Sequence, residues 1–369
     1  MKRLAVVIAG GGTGGHLYPG IAVARELLRR RPDAMVTFAG TRRGIEARVL
    51  PKEGFELDVL RSAGLKGSSP AALARGLALL PLSGADAWQV LSRRDPALVI
   101  GVGGYSSGPV VAAAAARGIP TMLLEQNAVP GITNRLLARV VSAAAVTFEA
   151  TLPFFRGKGF VSGNPVRREF LVSEGGSQPG QPTEDGVEPG DVLKLLIFGG
   201  SQGAHAINVA MTEAAPRLAA VRGLAVTHQT GERDLEVVKS AYVGAGLEAR
   251  VEPFLYQMGR EVRAADLVVC RAGATTLAEL TAAGKPSILV PLPTAADNHQ
   301  RKNADVIADA GAGELIEQRE LTGERLAGRI IALADDPAAR QAMGRAALRL
   351  ARPDAARVIV DRALELTGR

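Results

Sequence analysis

Cys270-Arg271-Ala272-Gly273-Ala274-Thr275-Thr276-Leu277-Ala278-Glu279, followed at a distance by Asp297-Asn298-His299-Gln300, is the stretch around which the chain is organised. The apolar run Ala265-Asp266-Leu267-Val268-Val269-Cys270 predicts a buried strand that enters a turn of small residues, and a helix begins at once with Glu279 one or two turns inside it. A strand, a turn and a helix N-terminus together offer backbone N–H groups and the positive end of a helix dipole to an anion such as a diphosphate. Glu279 does not suit a phosphate, because like charges repel. A carboxylate there would accept hydrogen bonds from vicinal sugar hydroxyls, such as those of a nucleotide ribose. Taken alone, the pattern also fits an ordinary strand-to-helix connection with a surface glutamate.

At 369 residues the chain is long for a single core, and apolar runs alternate with amphipathic ones throughout, so two α/β domains are expected. Cys270 is the one cysteine and lies in an apolar run, which excludes a disulfide framework and a cysteine-based metal site and points to the reducing cytoplasm. Met1-Lys2-Arg3 opens like a signal peptide, but the six apolar residues Leu4 to Ala9 are too few for one, or for a membrane span, and read as a first buried strand. The net charge of +7 is unevenly divided. Residues 1–168 hold 22 Lys and Arg against 10 Asp and Glu, a balance of +12, while residues 169–369 hold 22 against 27, a balance of −5. A basic first half suits an anionic membrane face or a phosphorylated substrate. Nucleic acid is disfavoured, because aromatic residues make up only 4% of the chain and stacking platforms are scarce.

In chain order, the first strand ends in Gly10-Gly11-Gly12-Thr13-Gly14-Gly15-His16 and a helix follows from Leu17 to Arg30. Gly10, Gly12 and Gly15 satisfy the dinucleotide fingerprint, a weak signal by itself. The next strand, Ala34 to Ala39, has no acidic residue at its end for an NAD ribose, and Arg42-Arg43 would allow only NADP. So many glycines let another molecule approach the backbone closely. A strand Ala97 to Val102 ends in Gly103-Gly104-Tyr105-Ser106-Ser107-Gly108-Pro109, and Thr121 to Leu124 delivers Glu125-Gln126-Asn127 before a helix opened by Pro130 to Arg135. Loop-rich ends of one parallel sheet gather along a single edge, where open α/β sheets bind ligands. Ser173 to Gly190 has almost nothing to bury and reads as a linker. Leu193 to Phe198 starts a second sheet and ends in Gly199-Gly200-Ser201-Gln202-Gly203-Ala204, with further strands at Val226 to Gln229, Arg250 to Pro253, Leu267 to Cys270 and Ile288 to Pro291.

Six motifs in order, Gly11 to His16, Gly103 to Pro109, Glu125 to Asn127, Gly163-Asn164-Pro165-Val166-Arg167, Gly199 to Ala204 and Arg271 to Thr276, resemble the MurG family of bacterial N-acetylglucosaminyltransferases, glycosyltransferase family 28. The resemblance covers nearly the whole chain. It implies an α/β GT-B fold: two Rossmann-like, doubly wound parallel-sheet domains facing a central cleft. Residues 1–167 would take the acceptor and face the membrane, rejoined by a last helix within 353–369; 168–192 would link, and 193–352 would bind UDP-N-acetylglucosamine. The reaction implied is inverting transfer of N-acetylglucosamine to the C4 hydroxyl of the muramoyl sugar of lipid I, giving lipid II. The implied partners are the donor, the lipid-linked acceptor, an anionic membrane surface at the cytoplasmic face and other cell-wall synthesis proteins, with no cofactor. By the same resemblance Leu255 would hold the uracil through its backbone, Glu279 the ribose, Ser201 with Gly273, Ala274, Thr275, Thr276 and Leu277 the diphosphate, and Gln300 the sugar. Thr13, Gly14, Gly15, Asn127 and Arg167 match other donor-contacting positions, and Gly103, Gly104, Tyr105 and Asn134 would meet the acceptor. His299 departs from the family, which usually has a second glutamine there.

Sugar transfer needs a base for the acceptor hydroxyl and fixed positive potential for the leaving diphosphate. His16 is the candidate base, with Glu125 the alternative or its orienting partner. There is no Asp-x-Asp pair to chelate a metal on the diphosphate, so no protein-bound metal is expected. Rearrangement of the nucleotide sugar by an epimerase, and a silent nucleotide-binding module, are the competing readings. The segment Leu65 to Arg94 carries Leu73, Leu77, Leu80 and Trp88 with Arg75, Arg93 and Arg94, which reads as an amphipathic helix packed on the sheet or as an interfacial membrane surface.

Overall fold

The computed structural model describes residues 3–42, 44–61, 70–171, 192–200 and 203–368, with the side chains of 70–78, 80 and 296 outside the description. The chain divides into two units, Met1–Arg167 with Arg352–Arg369, and Arg168–Ala351. In the first, seven strands run β1 (Ala5–Gly10), β2 (Met35–Gly40), β3 (Glu56–Val59), β4 (Leu98–Gly103), β5 (Thr121–Glu125), β6 (Ala143–Val146) and β7 (Gly159–Val161). In the second, six run β8 (Leu193–Phe198), β9 (Leu224–Gln229), β10 (Ala249–Glu252), β11 (Leu267–Cys270), β12 (Ser287–Leu289) and β13 (Gly313–Leu315). Every adjacent pair is parallel. Helices cover both faces, which is why the central strands read as unbroken apolar runs: β4 is buried at all six positions and β11 at all four.

The strand orders are β3-β2-β1-β4-β5-β6-β7 and β10-β9-β8-β11-β12-β13, so each sheet reverses direction between its first and fourth strands. Connections leaving such a switch point diverge and open a crevice at the strand ends. It lies between β1 and β4 in one unit and between β8 and β11 in the other, and each crevice is rimmed by two of the small-residue loops.

The helix Ala355–Leu366 buries Ile359, Val360 and Ala363 in the cluster that holds Leu4, Ile8, Leu17 and Leu27, and its Asp361 pairs with Arg30. Gly163 stands at φ +79 where a Cβ would collide with the Cβ of Arg352, so the Gly163-Asn164-Pro165 stretch is glycine-led to let the returning chain pass. Arg168–Phe170, expected to open the linker, forms a short 3-10 turn whose Phe170 is buried in a core cluster of the second unit. Ser173 to Gly190 lies outside the described residues. Because Ile359 is fully buried, Ile359→Ala should cost about 2–5 kcal/mol, read as a lower denaturant midpoint at an unchanged slope.

Candidate active site

At the first switch point the glycines make room for the chain itself. A Cβ on Gly103, at φ +97, would stand 2.7 Å from His16 Nδ1, one on Gly104 would strike the Gly11 carbonyl, and one on Gly11 would stand 2.6 Å from the Glu46 carboxylate. Gly40 and Gly44 are likewise packed on Glu46. Glu46 is fully buried and accepts from Gly12 N at 2.7 Å, Thr41 N at 2.8 Å and Thr41 Oγ1 at 2.8 Å. A fixed carboxylate thus fills the space that the dinucleotide fingerprint would leave for a pyrophosphate, which rules out the NADP reading of this loop. Sequence reading passed over Glu46; a lone acid in a short polar stretch gives no signal.

Thr13 is the N-cap of the helix Gly14–Arg30, and His16 is its third residue, half-buried on Gly103. His16 Nδ1 lies 3.3 Å from Gln126 Oε1. Gln126 is buried, and its Nε2 donates to the Val102 carbonyl at 3.1 Å, which fixes the amide so that Oε1 faces the ring. His16 Nδ1 must then carry the proton, and the lone pair sits on Nε2. The orienting residue is therefore Gln126 and not, as its neighbour suggested, Glu125. Both Glu125 oxygens are spent elsewhere, accepting from Asn127 N at 3.0 Å, Asn127 Nδ2 at 3.3 Å, Gly131 N at 3.0 Å and Asn134 Nδ2 at 2.9 Å. Buried and held by four donors, Glu125 shapes the loop 127–131 and is poorly placed to take a proton. Asn134 is buried too, and its Nδ2 donates both to Glu125 and to the Leu124 carbonyl, so it braces the loop. Gly14, Gly15 and Tyr105 lie partly or well exposed on the same rim, and the Arg167 guanidinium stacks 4.6 Å over the Tyr18 ring.

In the second unit the crevice stays open. Gly273 is the extended N-cap of the helix Ala274–Ala282, whose first turn, Ala274-Thr275-Thr276-Leu277, holds no acidic residue to compete for an anion. Glu279 lies in its second turn and is buried. At the ends of β8 and β11 a cavity of about 370 Å³ is lined by Gly199, Gly203, His205, Arg271, Gln300 and Gln318, among others. Arg271, the first residue of the motif Arg271 to Thr276, brings a cation: it donates to the Val290 carbonyl at 3.1 Å and to Gln318 Oε1 at 2.8 Å. Gln300 accepts from Leu292 N at 3.0 Å through Oε1, which leaves its Nε2 hydrogens for a ligand. Asp297 and Asn298 are both left-handed, at φ 53 and φ 55, immediately before His299 and Gln300, a strained approach of the kind that collects at binding sites. The Leu255 N–H is taken by Gln229 Oε1 at 2.8 Å. Ser201 lies outside the described residues. Burial pushes the Cys270 thiol well above its ordinary range, so it is an inert core residue. Among the described residues no group of three or more His, Cys, Asp or Glu side chains is arranged to hold a metal.

The amphipathic segment forms the helix Pro70–Arg94, and the side chains of Leu73, Arg75, Leu77 and Leu80 lie outside the described ones. Trp88 is half-exposed with the Arg117 guanidinium 5.1 Å from its ring centre. Arg93 and Arg94 are not a free basic edge: both bind the buried Asp58 carboxylate of β3, at 2.5 Å and 2.8 Å, and Arg94 also reaches Glu56. Further round the same layer of helices, Ile132, Leu136 and Val140 are exposed beside Arg135 and Arg139. No helix among the described residues is long and apolar enough to cross a membrane.

Two parallel sheets of Rossmann order in one chain give the GT-B fold, and the family comparison makes it a glycosyltransferase. The chain belongs to glycosyltransferase family 28, whose N-terminal domain matches residues 6–146 and whose C-terminal domain matches residues 194–359, and within it to the MurG family. It is 49% identical over 370 residues, covering 99% of this chain and 94% of the relative, to the UDP-N-acetylglucosamine--N-acetylmuramyl-(pentapeptide) pyrophosphoryl-undecaprenol N-acetylglucosamine transferase of Anaeromyxobacter sp. (strain K). The crystal structure of Acinetobacter baumannii MurG superposes with a TM-score of 0.77 at 30% identity, covering 98% of this chain and 99% of that one. A UDP-N-acetylglucosamine 2-epimerase superposes with a TM-score of 0.70, covering 100% of this chain and 97% of that one, but at 14% identity this likeness is one of fold alone.

Removing the Glu46 carboxylate takes the acceptor from the Gly12 and Thr41 N–H groups and leaves a buried gap among Gly11, Gly40 and Gly44. Glu46→Ala should therefore destabilise the first unit by about 1–3 kcal/mol, measured by denaturant unfolding, with Glu46→Gln costing less.

Proposed function

We propose that this chain transfers N-acetylglucosamine from UDP-N-acetylglucosamine to the C4 hydroxyl of the muramoyl sugar of lipid I, forming lipid II with inversion. The observation that carries the reading is the acid-free first turn of the helix Ala274–Ala282 with buried Glu279 in its second turn, in a chain nearly half identical to a named transferase. His16 Nε2 takes the proton of the acceptor hydroxyl as its oxygen bonds to the anomeric carbon from the face opposite UDP. The bond from that carbon to the UDP oxygen breaks, and the electron pair leaves with the diphosphate. The helix N-terminus, with the cationic Arg271 beside it, stabilises that charge. Glu279 accepts from the ribose hydroxyls, and Gln300 Nε2 donates to the sugar.

Incubation with labelled donor and a lipid I analogue tests the function: labelled disaccharide is expected, and epimerised donor formed without acceptor would overturn it. His16→Ala should lower kcat by about 10²–10⁴-fold with the donor KM little changed. Gln126→Leu, which frees the imidazole to take its other tautomer, should act in the same direction. Glu279→Ala should instead weaken donor binding by roughly 1–3 kcal/mol.

The second part of the proposal is reversible attachment to an anionic membrane by the first unit's helical layer. Its basis is the exposed apolar side chains Trp88, Ile132, Leu136 and Val140 interleaved with Arg117, Arg135 and Arg139. A few basic side chains at about 1 kcal/mol each, with shallow apolar contact, give binding that salt reverses. The chain should sediment with anionic vesicles at low salt, and Trp88→Ser combined with Leu136→Ser and Val140→Ser should abolish this while sparing UDP binding. Equal binding to neutral vesicles would place the attachment elsewhere.

A further inference from the structure

The tip of β9 carries three consecutive buried polar residues, His228, Gln229 and Thr230, each tied to a different element. His228 sits between Tyr242 OH, 2.7 Å from Nδ1, and Asn208 Oδ1, 3.1 Å from Nε2, and burial lowers its pKa to about 3, so the ring is neutral. Asn208 in turn donates to the Thr230 carbonyl at 2.9 Å and to Asp234 at 2.8 Å. Thr230 N donates to the Glu252 carbonyl at 3.0 Å, and Gly203 packs against the Thr230 carbonyl so closely that a Cβ there has no room. Between these anchors Gln229, only 2% exposed, uses both ends of its amide. Nε2 donates to the Gly200 carbonyl at 2.8 Å, and Oε1 accepts from Leu255 N at 2.8 Å.

The two partners belong to different parts of the donor site. Gly200 follows β8 in the glycine loop, at φ +98 with nothing within 4 Å of where a Cβ would be. Leu255 is in the turn after β10, the segment assigned to the nucleotide base. We propose that Gln229 is a positioning residue that holds the diphosphate loop and the base segment in register through one buried amide, so that UDP is recognised as a unit. This rests on the reading of the second unit as the UDP-sugar site. The side chain need not touch the nucleotide: it sets the backbone that does.

The two ends of the amide can be broken separately. In Gln229→Glu one oxygen still accepts from Leu255 N, but the other now faces the Gly200 carbonyl, acceptor against acceptor, and displaces the loop. In Gln229→Leu both bonds are lost. Binding of uridine and of UDP to the full chain, by calorimetry at pH 8, separates the outcomes. The unsubstituted chain should bind UDP far more tightly than uridine. Q229E should keep uridine affinity within about 3-fold and lose at least 10-fold for UDP, whereas Q229L should weaken both ligands. In turnover, Q229E should raise the donor KM and leave the acceptor KM unchanged. The proposal is overturned if Q229E and Q229L bind UDP as the unsubstituted chain does. It is equally overturned if Q229E weakens uridine and UDP by one factor with a lowered Tm, which marks a merely structural residue. Failure of the unsubstituted chain to bind UDP at all would instead overturn the donor-site reading beneath it.

Discussion

One buried carboxylate holds the first unit's active rim in shape. Glu46 lies out of water with three donors on it, and Gly11, Gly40 and Gly44 surround it because no side chain fits there. A buried, hydrogen-bonded charge is costly to leave half satisfied, so it dictates the backbone around it. From that fixed loop the helix Gly14–Arg30 starts, and its third residue is laid across Gly103 with its tautomer set by Gln126. The glycines thus answer a steric demand from inside the chain.

The two units share a strand order yet use its crevice differently. In the first, the space at the switch point is taken up by Glu46 and His16, leaving an imidazole on the rim. In the second, Gly199 and Arg271 at the ends of β8 and β11 line an open cavity, and the helix Ala274–Ala282 starts three residues after Arg271, which suits an incoming anion. Spacing of glycines alone does not separate these cases. What separates them is whether an acidic side chain elsewhere in the unit folds back onto the loop.

The sheets were legible where strands are buried on both faces, as at β4, β8 and β11, because apolar runs there are continuous. Four strands escaped: β3, half polar on the sheet edge; β6, three alanines and a valine with little β propensity; and β7 and β13, three residues each. Missing β3 had a consequence, since its Glu56 and Asp58 are what bind Arg93 and Arg94, two residues whose charge looked available for a membrane. The polar strand end Glu125-Gln126-Asn127 was visible as a cluster, but consecutive strand residues point to opposite faces, so neighbours in sequence exchange roles: Gln126 reaches His16 while Glu125 turns into the loop. Gln229 was read as strand alone, because nothing in a single sequence announces that one amide spans two loops.

Transfer as proposed needs His16 to carry its proton on Nδ1 and to present Nε2 to the acceptor hydroxyl. Nitrogen-15 NMR of the histidine side chains, with His16 assigned by comparison with His16→Ala, reads this directly at neutral pH. The account predicts the Nδ1–H tautomer for His16, lost when Gln126 is replaced by Leu. An Nε2–H tautomer, or an imidazolium at pH 8, would contradict it.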